Sequence, residues 1–156
     1  MSVAFEVRLV WATPADAAAL AAAHAEAFDP SWGASAFDDL LASPGVFGVL
    51  GGEPAVGLVL CRVAAGEVEV LTLGVSRKAR RRGLARMLMG AALQAGRDAG
   101  ATAAFLEVAV ENLAAVALYE SLGFERAGLR RGYYDRGAAG REDALVMRLD
   151  LAEEDA

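Results

Sequence analysis

The stretch LEVAVENLAAVALYESLGF, residues 106–124, decides how the chain is read. Its first part belongs to a short apolar run, 103–110, that predicts a strand. Asn112 then supplies an N-cap, the residues behind it have helical spacing, and Gly123 suits the C-terminal cap. A strand that feeds directly into a helix is half of a βα unit and implies parallel pairing nearby. Within the strand, Leu106, Val108 and Val110 share one face, and Phe105, Glu107 and Ala109 share the other. Both faces are mostly apolar, so cover on both sides is expected, with Glu107 buried. A buried carboxylate ionises reluctantly, which would poise Glu107 as a base nearer neutrality. Tyr119 follows one turn beyond Ala115 and Val116 and shares their inward face, where its phenol could donate a proton. Glu107 and Tyr119 could equally be structural: an edge carboxylate bonded to backbone, and a core aromatic with a satisfied hydroxyl.

Working outward, residues 4–10 alternate as a first strand. Thr13-Pro14 starts a helix that runs to about Phe28, and 34–42 predicts a second. Residues 46–50 and 55–64 are two strands joined through Gly51-Gly52-Glu53-Pro54, a hairpin signal. Residues 67–75 form a fourth strand, in which Gly74 suggests a bulge or a close backbone approach. Helical spacing resumes from about Arg82 to Ala99, with Gly100 as its cap. Residues 124–131 and 143–149 are the last strands, around the Gly-rich segment GYYDRGAAGRED. The order β-α-α-β-β-β-α-β-α-β-β predicts an α/β (α+β) fold, a mixed sheet with helices packed on it.

The chain has 156 residues, 56% of them hydrophobic and 23% charged, which fits one domain with a real core over 1–150 and a short acidic tail at 151–156. It contains one cysteine, Cys61, so no intrachain disulfide can form. No apolar run is long enough for a spanning helix, and MSVAFEVRLV lacks the order of a signal peptide, so a cytoplasmic location is expected. Cys61 reads as core packing rather than an acyl carrier. His24, the single histidine, reads as peripheral, and a metal site is disfavoured.

The net charge of −6 argues against bulk nucleic-acid binding and mildly favours a basic partner. Yet Arg77, Lys78, Arg80, Arg81, Arg82 and Arg86 fall within ten residues, which suggests a small anionic ligand. The core of this segment, Arg80-Arg81-Arg82-Gly83-Leu84-Ala85, puts a tight turn of small residues at a helix N-terminus, where free N–H groups and the dipole favour anions. Gly83 permits close backbone approach, and guanidiniums add charge-assisted bonds. The segment is neither a Walker loop nor a dinucleotide fingerprint. A solvated basic helix start is the alternative.

The pattern Arg/Gln-x-x-Gly-x-Gly/Ala after a fourth strand resembles the GCN5-related N-acetyltransferase (GNAT) superfamily. So does the whole order of elements, which implies a seven-stranded mixed sheet flanked by about four helices. Residues 106–134 and the later Arg-Glu-Asp-Ala at 141–144 are similar to the bacterial ribosomal-protein-alanine N-acetyltransferases (RimI type). Two departures stand out. Ser31 separates Pro30 from Trp32 where the family commonly has Pro-Trp. Arg80 and Ala85 replace a frequent Gln and Gly.

The resemblance implies acetyl-CoA as co-substrate, without a metal. It assigns Glu107 as general base and Tyr119 as general acid. The turn Arg80, Arg81, Arg82, Gly83, Leu84, Ala85 would cradle the pyrophosphate. Leu73, Gly74 and Val75 would pair with the pantetheine chain, and a bulge there would aim N–H groups at the thioester carbonyl. Asn112 would touch the cofactor besides capping its helix. Trp32, Tyr133, Tyr134 and Asp135 would lie near the acceptor, while Arg141, Glu142 and Asp143 match the family or form a charged turn. The acceptor implied is a protein N-terminus, the alanine of a basic small-subunit ribosomal protein. Alternatives are acetylation of a lysine or small amine, an acyl-CoA-binding regulatory module without turnover, and a nucleic-acid module that uses the arginine run.

Overall fold

The computed structural model describes residues 8–151. Seven strands form one sheet in the order β1-β2-β3-β4-β5-β7-β6. They are β1 (Leu9–Trp11), β2 (Val46–Gly51), β3 (Gly57–Ala64), β4 (Glu67–Val75), β5 (Ala103–Ala109), β6 (Glu125–Asp135) and β7 (Arg141–Asp150). The helices are α1 (Ala17–Ala27), α2 (Ala34–Ala42), α3 (Leu84–Asp98) and α4 (Leu113–Ser121). The order of elements is the one the sequence predicts. The start expected for the first strand, residues 4–7, and the acidic tail from 152 lie outside the described residues.

Local signals placed most of the element ends. Thr13 and Pro14 open a single 3-10 turn that runs into α1, and the Asp16 carboxylate accepts from the Thr13 N–H at 2.8 Å. Asn112 Oδ1 accepts from the Ala115 N–H at 3.2 Å and caps α4. The last strands depart from expectation. They are longer than predicted, and the Gly-rich segment is largely hairpin, with only 136–140 left as its turn.

Two cores sandwich the sheet. On one face α1 and α2 bury Leu20 and Phe37 against Leu50, Leu58 and Leu60. On the other, α3 and α4 bury Leu84, Leu88, Met89 and Val116 against Val59, Val68, Leu106 and Met147. The first cover is partial: α1 packs on β3 and β4, and α2 on β2. The same face of β5 carries Glu107, which is exposed, and β6 is exposed along most of its length. The expected burial of Glu107 is therefore corrected. Double cover belongs to parallel sheets, and among the described residues β4–β5 is the one parallel pair.

That parallel pair is also short. It joins Glu67–Val70 to Ala103–Leu106 and stops, while β4 continues to Val75 on β3 alone and β5 continues to Ala109 on β7. A gap opens between their C-terminal halves. The β3–β4 register shifts between Leu60 and Cys61, opposite Thr72 and Val70, so the extra residue is Leu71 and not one at Gly74. Gly74 has a different reason to be glycine. A Cβ there would lie 2.8 Å from Phe28 Cε2 and 2.9 Å from Ala27 Cβ, because the end of α1 rests on it.

Candidate active site at the split of the sheet

The β4 edge of the gap carries unpaired donors. Ser76 N–H donates to Val56 O at 2.7 Å, which fixes the phase of the β3–β4 ladder. Antiparallel pairs alternate, so Gly74 bonds to Leu58, while Leu73 and Val75 turn their backbone groups toward the gap. Of the three residues expected to offer N–H groups, Gly74 is thus spent on β3, and Leu73 and Val75 remain. The Val75 carbonyl is taken by Arg80 Nε at 3.0 Å.

That bond ties the basic turn to the strand. Arg81 has φ +64° and Gly83 has φ +81°, so two left-handed residues, one of them not glycine, fold the chain tightly before α3. The first helical bond is Met87 N–H to Gly83 O at 3.0 Å, which leaves the N–H groups of Leu84, Ala85 and Arg86 ahead of it for a ligand. The Leu84 side chain is buried in the core, so of this residue only the backbone faces outward. Arg86 Nη2 donates to Ser121 Oγ at 2.7 Å and fastens α3 to α4. A cleft of about 370 Å³ runs from Arg80, Gly83 and Ala85 past Val75 to Ala114 and Leu118 of α4. Donors at one end and apolar walls along its length fit a pyrophosphate with a pantetheine chain.

Glu107 stands on β5, across the gap from β4, and Tyr119 on α4, in the core that packs on the other face of β5. Arg130 Nη1 donates to Glu107 Oε1 at 2.7 Å. Tyr119 is buried against Phe124, ring centroids 5.9 Å apart, and burial, helped by Tyr134 and Cys61, pushes its phenol up to about 12. The Tyr134 phenol is also raised, by burial first and then by the Glu107 carboxylate. Tyr134 thus lies within electrostatic reach of Glu107 and of Tyr119. Cys61 is fully buried and its thiol is pushed up to about 12 by burial, then by Glu69, so it stays protonated and packs as core. Among the described residues no three His, Cys, Asp or Glu side chains stand together as a metal site.

The hairpin of β6 and β7 is braced by residues that the sequence left as a charged turn. A bulge lies between Arg130 and Tyr134, and Gly132 inside it has φ +60°. Gly132 N–H donates to Asp143 Oδ1 at 2.7 Å, and Arg141 Nε donates to Gly132 O at 2.6 Å. Glu142 Oε1 accepts from Arg136 Nε at 3.0 Å, and its other oxygen accepts from the Glu111 N–H. These bonds hold Tyr133 and Tyr134, whose rings meet edge-on at 5.1 Å, with Arg130 over the first and Arg136 over the second. The Asp135 carboxylate accepts from Gly137 N–H at 2.8 Å and shapes the turn.

His24 is not peripheral. It is 2% exposed, stacked between Phe28 and Trp32, and bonded through both ring nitrogens. Sequence reasoning missed it and Arg130. The spacing of His24 and Phe28, one helical turn apart, was the available signal.

The model of the Acetyltransferase (GNAT) family matches residues 17–124. The chain belongs to this acetyltransferase family. Among GNAT proteins it is 40% identical over 149 residues to the N-alpha-acetyltransferase RimI of Mycobacterium tuberculosis, covering 90% of each chain. It is also 40% identical over 93 residues to the ribosomal protein bS18-alanine N-acetyltransferase of Salmonella typhimurium, covering 60% of this chain and 62% of that one. Its fold matches the crystal structure of the ribosomal-protein-S18-alanine N-acetyltransferase from Escherichia coli with a TM-score of 0.87, at 26% identity over 96% of this chain and 97% of that one. The mixed seven-stranded sheet read from the sequence is therefore the GNAT sheet.

Proposed function

We propose that this GNAT acetyltransferase moves the acetyl group of acetyl-CoA directly to the α-amine of a protein N-terminus, in a ternary complex. The observation that carries this is the split of β4 from β5. It turns the backbone groups of Leu73 and Val75 into the gap, with the cleft from Val75 to the Arg80–Ala85 turn on one side and Glu107 on the facing strand β5. When bound, acetyl-CoA supplies the activated thioester. The turn would hold its phosphates, and the N–H groups of Leu73 and Val75 would polarise the thioester carbonyl. Glu107 accepts the proton of the acceptor ammonium, directly or through a water, so that the amine can attack. Tyr119, protonated at any working pH, donates its proton to the departing thiolate. Asn112, at the N-cap of α4, would line the cofactor side, and Trp32, Tyr133, Tyr134 and Asp135 the acceptor side.

The acceptor we infer is the N-terminal alanine of a basic small-subunit ribosomal protein, which puts the reaction in the cytoplasm. The names of the Salmonella and Escherichia coli relatives support this, as does the net charge of −6. So does a groove of about 350 Å³ on the bare face of the sheet, where Glu67 and Glu69 join Glu107 beside Phe105 and Val146. No helix among the described residues is long and apolar enough to cross a membrane. The test is a panel of peptides that differ only in their first residue, with spermidine as a small-amine control, each incubated with acetyl-CoA. Acetylation that favours alanine at position one is expected; turnover of spermidine alone would contradict the proposal.

A further inference from the structure

We propose that His24 is a positioning residue for the acceptor: its neutral imidazole pins the loop between α1 and α2, with Trp32, over the reactive segment of β4. The role deepens the acyl-transfer function proposed above and rests on it. Trp32 N–H donates to His24 Nδ1 at 3.1 Å, so Nδ1 carries no proton. The other nitrogen, Nε2, then carries it and donates to Thr72 Oγ1 at 3.2 Å. Thr72 immediately precedes Leu73, whose N–H faces the gap.

Ring packing completes the link. His24 stacks on Phe28 at 4.4 Å and 27° and on Trp32 at 4.9 Å and 22°, with Phe37 edge-on at 5.5 Å. Phe28 in turn sits against Gly74. A single buried ring therefore fixes the loop backbone, the Trp32 indole and the floor of the site together. Packing alone would be served by phenylalanine. Histidine adds a fixed acceptor for the loop and a fixed donor for the strand; the bond to Thr72 is buried and the bond to Trp32 half-buried, where misplacing a partner is costly.

The test compares unmodified protein with His24→Phe and Thr72→Val by steady-state kinetics, varying an alanine-starting basic peptide and acetyl-CoA separately. His24→Phe keeps the stack and loses both bonds; Thr72→Val removes one bond at constant shape. The acceptor KM should rise about tenfold in the first and about threefold in the second, as expected for one or two lost buried bonds. The acetyl-CoA KM should stay within about twofold, since the turn at Arg80–Ala85 is untouched. A role in packing alone would move melting temperature without this split. Unchanged acceptor KM in the folded variants, or equal movement of both KM values, would overturn the assignment; should His24→Phe not fold, Thr72→Val decides. Unmodified protein that fails to acetylate any α-amine would instead contradict the function itself, and the wild-type rate is measured first to keep the two outcomes apart.

Discussion

Arg130 Nη1 lies 2.7 Å from Glu107 Oε1, reaching from β6 across β7 to β5. One carboxylate oxygen is held by this bond; in the proposed mechanism the other receives the acceptor's proton. The same guanidinium rests 4.8 Å from the centroid of the Tyr133 ring, so the proposed base and the proposed acceptor-side aromatic share one support. Arg130 is more than half exposed, and an exposed pair of this kind contributes about 0.2–1 kcal/mol to stability. Arg130→Ala should therefore shift the melting temperature by no more than about 4 °C. It should lower kcat/KM about tenfold, because misaimed catalytic groups cost far more than their pairing energy. Thermal melts and initial rates on one preparation check both.

Glu107→Gln keeps size and polarity but accepts no proton. The expected loss at pH 7 is about 10²–10⁴-fold in kcat/KM. An α-ammonium titrates near pH 8, so the deficit should shrink toward pH 9.5 as free amine accumulates. Rates across pH 6.5–9.5 measure this. A variant as active as the parent at every pH would remove Glu107 as base.

Tyr119→Phe should fold, since the ring packs on Phe124 and only the hydroxyl is lost. The expected fall in kcat is about 10²-fold, within the range for a lost proton donor. With the phenol pushed up to about 12, ionisation of Tyr119 removes the acid only above the working range. The parent should show no alkaline decline from this group between pH 8 and 10.

His24 makes stability depend on pH. Burial lowers its folded value to about 4 from 6.5. Its contribution is complete above pH 6.5 and is lost as pH falls toward 4, because the unfolded chain takes the proton first. The loss by pH 4 amounts to about 3 kcal/mol. Urea melts at pH 7 and 4.5 should show it, and His24→Phe should lack this component of the slope.

The ends of most elements were legible because caps and periodicity are local. Asn112, Gly123 and Thr13-Pro14 act through their own neighbours. Three features were not legible, and each depends on where distant segments land. Cover of β5 was overestimated because nothing in 103–110 says that α1 and α2 stop over β2–β4. At Gly74 the sequence left a bulge and a close approach open, because a glycine in a strand signals either, and only the placement of Phe28 decides for the close approach. The hairpin of β6 and β7 looked like a loop because its glycines serve the bulge at Gly132 and the turn at Gly140, where φ is +60° and +92°. The twelve-residue spacing of Glu107 and Tyr119 was legible, but Arg130, which bonds to Glu107, and Tyr134, whose phenol Glu107 raises, come from the distant β6–β7 hairpin.

The central claim is transfer to an N-terminal α-amine. One basic peptide that starts with alanine and carries an internal lysine tests it most directly, since both amines compete for the same enzyme. After incubation with acetyl-CoA, tandem mass spectrometry locates the acetyl group. Acetyl on the alanine α-amine, with the lysine unmodified, is the predicted result; acetyl on the lysine alone would contradict it.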